Sequence, residues 1–342
     1  MTLSPTLNVF YGRNGAGKTS VLEAVHFLSQ ARSFKARNPR QLISHDADGF
    51  IVTGEVNRAG SIVRVGVARK KGATEARINA KKVARPSALA ECLPVQLIHP
   101  GSFSLLVGPR SEKRAYLDWG AFYREPGFRD QWSVFQKALK QRNSAIRSKM
   151  ASDLICCWDR QLAKAGETIS LFRQQYIDKV VEEVPALMAM FASDTRLSVH
   201  YAQGWPSGKP LADHLRDTLQ ADIARGFTAA GPQRGGFDVR FNGHPIGEVG
   251  SRGQVKLATI VFKLAQLRVF LDSVQGEGQC LLLLDDLDSE LDSGSLARFL
   301  EVVSSLGVQT LLTTLNPDRI QGSVSGDLAL FHVEHGVVKQ VL

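Results

Sequence analysis

Residues 8–25, NVFYGRNGAGKTSVLEAV, constrain this 342-residue chain more than any other stretch. Gly12, Arg13, Asn14, Gly15, Ala16, Gly17, Lys18 and Thr19 satisfy GxxxxGK[ST] in full. The glycines allow successive backbone N–H groups to turn inward onto a phosphate, and a helix N-terminus behind them adds its dipole. LNVFY before the loop reads as a buried strand. Val21, Leu22, Val25 and Leu28 behind it recur at helical spacing, so a helix is predicted from Lys18 to about Gln30. In that setting Lys18 reaches the β- and γ-phosphates of a nucleoside triphosphate, and the Thr19 hydroxyl ligates Mg²⁺; the loop alone does not separate GTPase, kinase and ATPase.

A strand–loop–helix of this kind needs a second carboxylate-bearing strand. CLLLLDDLDSELD, residues 280–292, supplies it: Leu281–Leu284 read as a central strand buried on both faces, ending in acids. Asp285 is the candidate Mg²⁺ ligand, and Asp286 the group that orients water or takes its proton. Just upstream, GSRGQVKLATIVFKLAQLRVFL (250–271) opens with Ser251 and Gln254 spaced as a capping box. It continues as a helix apolar nearly all round. Its start presents a serine, a glycine backbone and a helix dipole, the elements of a second anion site.

Charge separates the two halves of the chain. Residues 32–85 hold thirteen Lys/Arg against four Asp/Glu, and 110–149 hold ten against four, whereas 271–342 hold three against eleven. A basic first half suggests a polyanionic partner, nucleic acid before an anionic membrane. No apolar run is long enough to span a membrane, and MTLSPTLNVF is not a signal peptide. Cys92, Cys156, Cys157 and Cys280 form no CxxC pair and read as reduced thiols of a cytoplasmic protein.

The order of these motifs resembles the ABC-type ATPase head. In that family the Ser-Gly helix of one subunit completes the ATP site of another, and ATP drives dimerisation. The resemblance implies that Ser251, Arg252, Gly253 and Gln254 are the signature. It also implies that Ser289, Glu290, Leu291 and Asp292 form the D-loop, and that Gln96, in PVQLIHP, lines the Mg²⁺/water site.

Gly17 and Ser251 lie 234 residues apart, more than compact transporter heads need. The acid pair is Asp-Asp-Leu where transporters read Glu-Pro-Thr, and the insertion is too short for long coiled coils. The closer resemblance is to the RecF family. Its carriers are GAGKTSVLEAVHFLSQARSF, PVQLIHPGSFSLLVGPRSEKRAYLDWGAFY with its Leu117-Asp118-Trp119-Gly120, WSVFQKALKQRN, TAAGPQRGGFDVRFNGHPI, and the two C-terminal motifs in family order. The resemblance implies an ATP-dependent homodimer that binds single-stranded and gapped or junction DNA. It further implies partnership with RecO and RecR in loading a recombinase, and no membrane association. Asp286, shorter than the glutamate of transporters, implies a slow ATPase. Two departures stand out. Only eleven residues precede Gly12, where relatives carry a further strand or two, and Gly250 replaces a leucine at the signature. A divergent copy that binds ATP without productive hydrolysis, a transporter ATPase subunit and a small-molecule kinase are the alternative readings.

The fold expected is α/β: a P-loop ATPase head with a mixed sheet, flanking helices and a helical insertion. Its parts are an N-terminal lobe (1–109), the insertion (110–196), and a C-terminal lobe (197–342) packed with the first. Residues 50–83 read as antiparallel strands, and 196–205 as a strand returning to the sheet. In the insertion, Trp132, Phe135, Leu139 and Ile146 mark an apolar stripe, with Lys137, Lys140, Arg142, Arg147 and Lys149 standing off it. With Arg69, Lys70, Lys71, Lys81 and Lys82, these are the candidate DNA-phosphate contacts.

Overall fold

The computed structural model describes residues 1–36, 38–44, 46–58, 60–70, 72–191, 196–273, 280–321 and 327–342; Lys71 lies outside the described residues. The chain divides into two compact units, Met1–Ser102 with Val274–Leu342, and Phe103–Ser273.

The first unit is built on β1 (Leu7–Tyr11), followed by helix α1 (Lys18–Gln30). Strands β2 (Gly49–Arg58), β3 (Ser61–Lys70), β4 (Ala73–Ile78) and β5 (Lys81–Lys82), helix α2 (Ser87–Cys92) and strand β6 (Val95–Ile98) come next. After the second unit the chain supplies β10 (Leu281–Leu284), α11 (Ser293–Ser305), β11 (Thr310–Thr314), α12 (Asp318–Gln321), β12 (Leu328–Glu334) and β13 (Val337–Gln340). The main sheet has the order β13-β12-β1-β11-β10-β6; every pairing is parallel except β12–β13. This is the mixed sheet of a P-loop ATPase head. The P-loop strand and the acidic strand are one strand apart, separated by β11. Both are buried on two faces, which is why LNVFY and LLLL read as apolar runs without alternation. Phe10, Leu22, Leu283, Leu311 and Phe331 form the core between the sheet and α1, with Phe10 stacked on Phe331.

The expected antiparallel strands are present, but β2–β5 form a sheet of their own rather than extending the P-loop sheet. Its inner face packs Val65 and Val67 against Phe27 and Leu28 of α1. Its outer positions alternate to the surface and leave Lys70, Lys81 and Lys82 exposed.

The second unit contains α3 (Arg110–Arg124), α4 (Phe128–Arg147), α5 (Ser152–Cys156) and α6 (Asp159–Phe191). These are followed by β7 (Leu197–Ala202), α7 (Leu211–Asp217), α8 (Leu219–Arg225), β8 (Gly236–Phe241), β9 (His244–Pro245), α9 (Ile246–Val249) and α10 (Arg252–Ser273). Phe128, Phe135, Leu162, Ile169, Leu211 and Leu215 make its core. The Leu-Asp-Trp-Gly stretch explains itself here. A Cβ on Gly120 would sit 1.9 Å from the Tyr176 ring, so only glycine lets α3 lie this close to α6. Asp118 pairs with buried Arg173 at 2.6 Å, which also donates to the Pro232 carbonyl and lies over Trp132.

Two expectations are corrected by this unit. Strand β7 does not return to the main sheet; it pairs antiparallel with β8 in a three-stranded sheet with β9. Arg142 does not stand off the apolar stripe as a solvated cation. It is fully buried, donating to Asp159 at 2.6 Å and to Asp222 and Thr228 at 2.7 Å. Lys137, Lys140, Arg147 and Lys149 are exposed as expected. Helix α10 packs on α6 and α3, so residues 197–273 group with the helices of this unit. No described helix is long and apolar enough to cross a membrane.

Candidate nucleotide site

The phosphate loop is shaped by close approach. A Cβ at Gly12 would meet the Val333 carbonyl oxygen at 2.2 Å, and Gly17 caps α1 with φ +108°. The β12–β13 turn braces the loop, the Gly336 N–H donating to the Ala16 carbonyl at 2.9 Å. Gly336 is a part of the site that the motif alone does not reveal. Arg13, Asn14 and Gly15 form the exposed tip. No side chain caps the N-terminus of α1 and no acid occupies its first turn, so its orphan N–H groups remain for an anion. Lys18 is buried, and its Nζ donates to the Gly12 and Arg13 carbonyls at 2.9 and 3.2 Å, held inside the loop it would share with phosphate.

Beside it lies an oxygen-rich corner. The Thr19 hydroxyl donates to Asp285 Oδ1 at 3.0 Å, and the Thr313 hydroxyl donates to the same oxygen at 2.9 Å while accepting the Asp286 N–H. A hydroxyl and a carboxylate oxygen at this separation are the hard ligands that Mg²⁺ takes when substrate phosphates complete its shell. Among the described residues, no cluster of three or more His, Cys, Asp or Glu could hold a metal by itself.

Asp286 has a left-handed backbone, φ +50°. The turn breaks the alternation of the strand and re-aims its carboxylate, which feels both Lys18 and Lys35. Burial first, and then the charge of Asp285, push its pKa above the usual carboxylate range.

Two residues stand differently from the sequence expectation. Gln96 is buried within β6 opposite Leu282, three residues before the level of Asp285, about 10 Å along a strand. It therefore does not line the metal corner. The register, continued one step past Ile98–Leu284, puts His99 level with Asp285 instead. His99, Asp285, Thr313 and Phe10 thus follow one another across four strands on one face. The His99 Nδ1 accepts the Gly101 N–H at 3.3 Å, and its ring lies 5.5 Å from that of Phe34. Asp292 is an N-cap: it accepts the Ser295 N–H at 3.0 Å and the Ser295 hydroxyl at 2.7 Å, holding the start of α11.

The signature belongs to the second unit. Ser251 and Gln254 form the reciprocal capping box, with the Ser251 N–H donating to Gln254 Oε1 at 2.8 Å and the Gln254 N–H donating to Ser251 Oγ at 3.2 Å. The serine oxygen accepts in this pair, so its O–H remains available to donate. Ser251, Arg252, Gly253 and Gln254 are all exposed, and a Cβ on Gly253 would meet open space.

Comparison with known proteins agrees with this anatomy. The family model described as the RecF/RecN/SMC N terminal domain matches residues 1–339. The DNA replication and repair protein RecF of Pseudomonas paraeruginosa (strain DSM 24068 / PA7) is 38% identical over 342 residues, covering 98% of this chain and 92% of that protein. The protein of the same name from Shewanella piezotolerans is 36% identical over 335 residues, covering 97% and 92%. The solved structure of the recombination mediator protein RecF-ATP in the RecFOR pathway shares the fold with a TM-score of 0.88 at 24% identity, covering 100% of this chain and 93% of that one. An Smc head bound to the C-winged helix domain of ScpA shares it more distantly, with a TM-score of 0.60 at 13% identity and coverage of 100% and 91%.

Proposed function

Because this chain belongs to the RecF family, we propose that it is an ATP-switched DNA-binding protein of replication and recombinational repair. The single observation that carries the reading is the corner where Thr19 and Thr313 both donate to one oxygen of Asp285, beside an uncapped helix behind a glycine loop.

Lys18 exchanges its two carbonyl partners for the β- and γ-phosphate oxygens of ATP. Thr19 and Asp285 hold Mg²⁺, which neutralises phosphate charge when bound. The Ser251 hydroxyl and the Gly253 N–H of a second copy then meet the γ-phosphate, so the nucleotide joins two chains. Asp286 accepts a proton from water. Its short side chain suits slow turnover, a timer more than a motor. In the closed dimer the exposed cations Lys70, Lys81 and Lys82, and Lys137, Lys140, Arg147 and Lys149, grip DNA by charge and shape. The substrate is gapped or single-strand/double-strand junction DNA in the cytoplasm. RecO and RecR are the partners in recombinase loading.

The test is binding of a fluorescent gapped duplex by anisotropy, with and without MgATP, across a salt series. Binding that MgATP strengthens at least tenfold and that falls steeply with salt is expected. Equal binding without nucleotide, or none in its presence, contradicts the reading.

A further inference from the structure

The second unit carries a groove that the clamp leaves unused. It has a volume of ≈ 470 Å³, and its lining includes Arg110 and Arg234 together with His200, Tyr201 and Trp205 at and just after the end of β7. This is the size of a small-ligand site. It is held rigidly. A Cβ on Gly204 would sit 2.2 Å from the Gly231 carbonyl oxygen, so glycine there lets the 231–235 loop close on the end of β7; the Gly231 N–H donates to the Gly204 carbonyl. Gln203 donates to the Trp205 and Pro206 carbonyls, and the Trp205 indole N–H to Lys209, fixing the ring. On the rim, Gln174 is tied to Asp178.

The charges do not balance. Arg110, Lys113, Arg114, Arg173 and Arg234 gather here, and the carboxylates paired with them are Asp118 and Asp238. Asp238 is shared between Lys113 at 3.3 Å and Arg110 at 3.7 Å, and Arg173 takes the best of Asp118. Burial, then the positive charge of Arg173, Arg234 and Arg110, pushes the Arg114 guanidinium below its usual range, with Asp118 opposing. Fixing like charges together costs free energy that an incoming anion returns.

We propose that this groove binds the sugar–phosphate backbone of single-stranded DNA, with phosphate between Arg110 and Arg234 and a base against the Trp205 ring. Arginine matches phosphate in two-pronged geometry, and a half-buried indole beside it offers the stacking face that a base requires. The assignment rests on the DNA-binding reading for the identity of the anion, and the dimer is not needed to form it.

The test uses the full chain without nucleotide. Fluorescein-labelled dT15 is titrated by anisotropy, and unlabelled dT15 by tryptophan emission. Wild type binds dT15 with quenching. Arg110→Gln with Arg234→Gln weakens binding about tenfold or more and flattens the salt slope by about 1.4, two contacts at about 0.7 each. Trp205→Phe removes the quench, and the Lys/Lys pair at 110 and 234 restores part of the affinity, which a misfolded variant would not. Ser251→Arg leaves dT15 binding intact, so loss of the clamp and loss of this groove are told apart. Unchanged dT15 affinity in the Gln/Gln variant overturns the proposal. So does loss of dT15 binding in Ser251→Arg, or a poly-glutamate peptide that displaces dT15 at equal charge while Trp205→Phe leaves the tryptophan quench unchanged.

Discussion

The two halves of the proposed nucleotide site are finished to different degrees. Around Gly12–Thr19 the partners are already assembled within one unit. Lys18 is buried in its loop, Thr19 and Thr313 converge on Asp285, and the Gly336 turn braces the glycines. Around Ser251–Gln254 the side chains of Ser251 and Gln254 bond each other's backbone in the capping box, and all four residues are exposed. In the proposed switch the first half holds the nucleotide and the second adds a donor from another copy. That difference is what makes a nucleotide-joined dimer the economical reading.

The largest effect should come from Lys18→Ala. It removes two charge-assisted phosphate contacts and should weaken ATP binding on the order of 10³-fold by fluorescent-nucleotide titration. Retained tight binding would break the claim that the first half holds the nucleotide. Asp286→Asn should leave nucleotide affinity unchanged and lower hydrolysis on the order of 10²-fold, read as phosphate release. A loss of binding instead would make Asp286 part of the cradle.

A smaller effect sharpens the second half. Lys263, three turns along α10 from the signature, is pushed down to about 8 by burial, with Glu112 opposing. Its folded pKa lies below the ordinary 10.5, so the unfolded chain binds the extra proton between those values. Lys263 therefore costs stability in full below pH 8, and the cost disappears as pH rises toward 10.5. Lys263→Met should raise the melting temperature at pH 7 by roughly 2–4 °C, the shift for about 1 kcal/mol, and flatten the rise above pH 8. A variant that melts lower at pH 7 would contradict this. The smallest effect should be His99→Ala, which tests the strand register: about a threefold rise in the Mg²⁺ concentration that half-saturates nucleotide binding. Gln96→Ala should lower stability without that rise.

Much of the nucleotide half is legible in the sequence because its chemistry is local. The glycine loop fixes its own conformation, the helix after it shows its period, and LLLLDD marks a buried strand and its acidic end. What escapes is set by partners far along the chain. The sequence places Gln96 on a strand, but not the register that sets it opposite Leu282 and brings His99 level with Asp285. Arg142 shows helical spacing with four exposed cations, yet it is buried because Asp159 and Asp222 arrive 17 and 80 residues later. Residues 50–83 read correctly as antiparallel strands, and nothing local says that they close a separate sheet. The same applies to β7, whose partner β8 lies beyond two helices.

The central claim is that ATP joins two copies through Ser251. Sedimentation velocity with and without MgATP, on wild type and Ser251→Arg, tests it most directly. The account predicts that wild type shifts from monomer to dimer only with MgATP, and that Ser251→Arg binds ATP within about threefold of wild type yet stays monomeric. A Ser251→Arg protein that dimerises on ATP as wild type does, or a wild type that stays monomeric while saturated with MgATP, would contradict it.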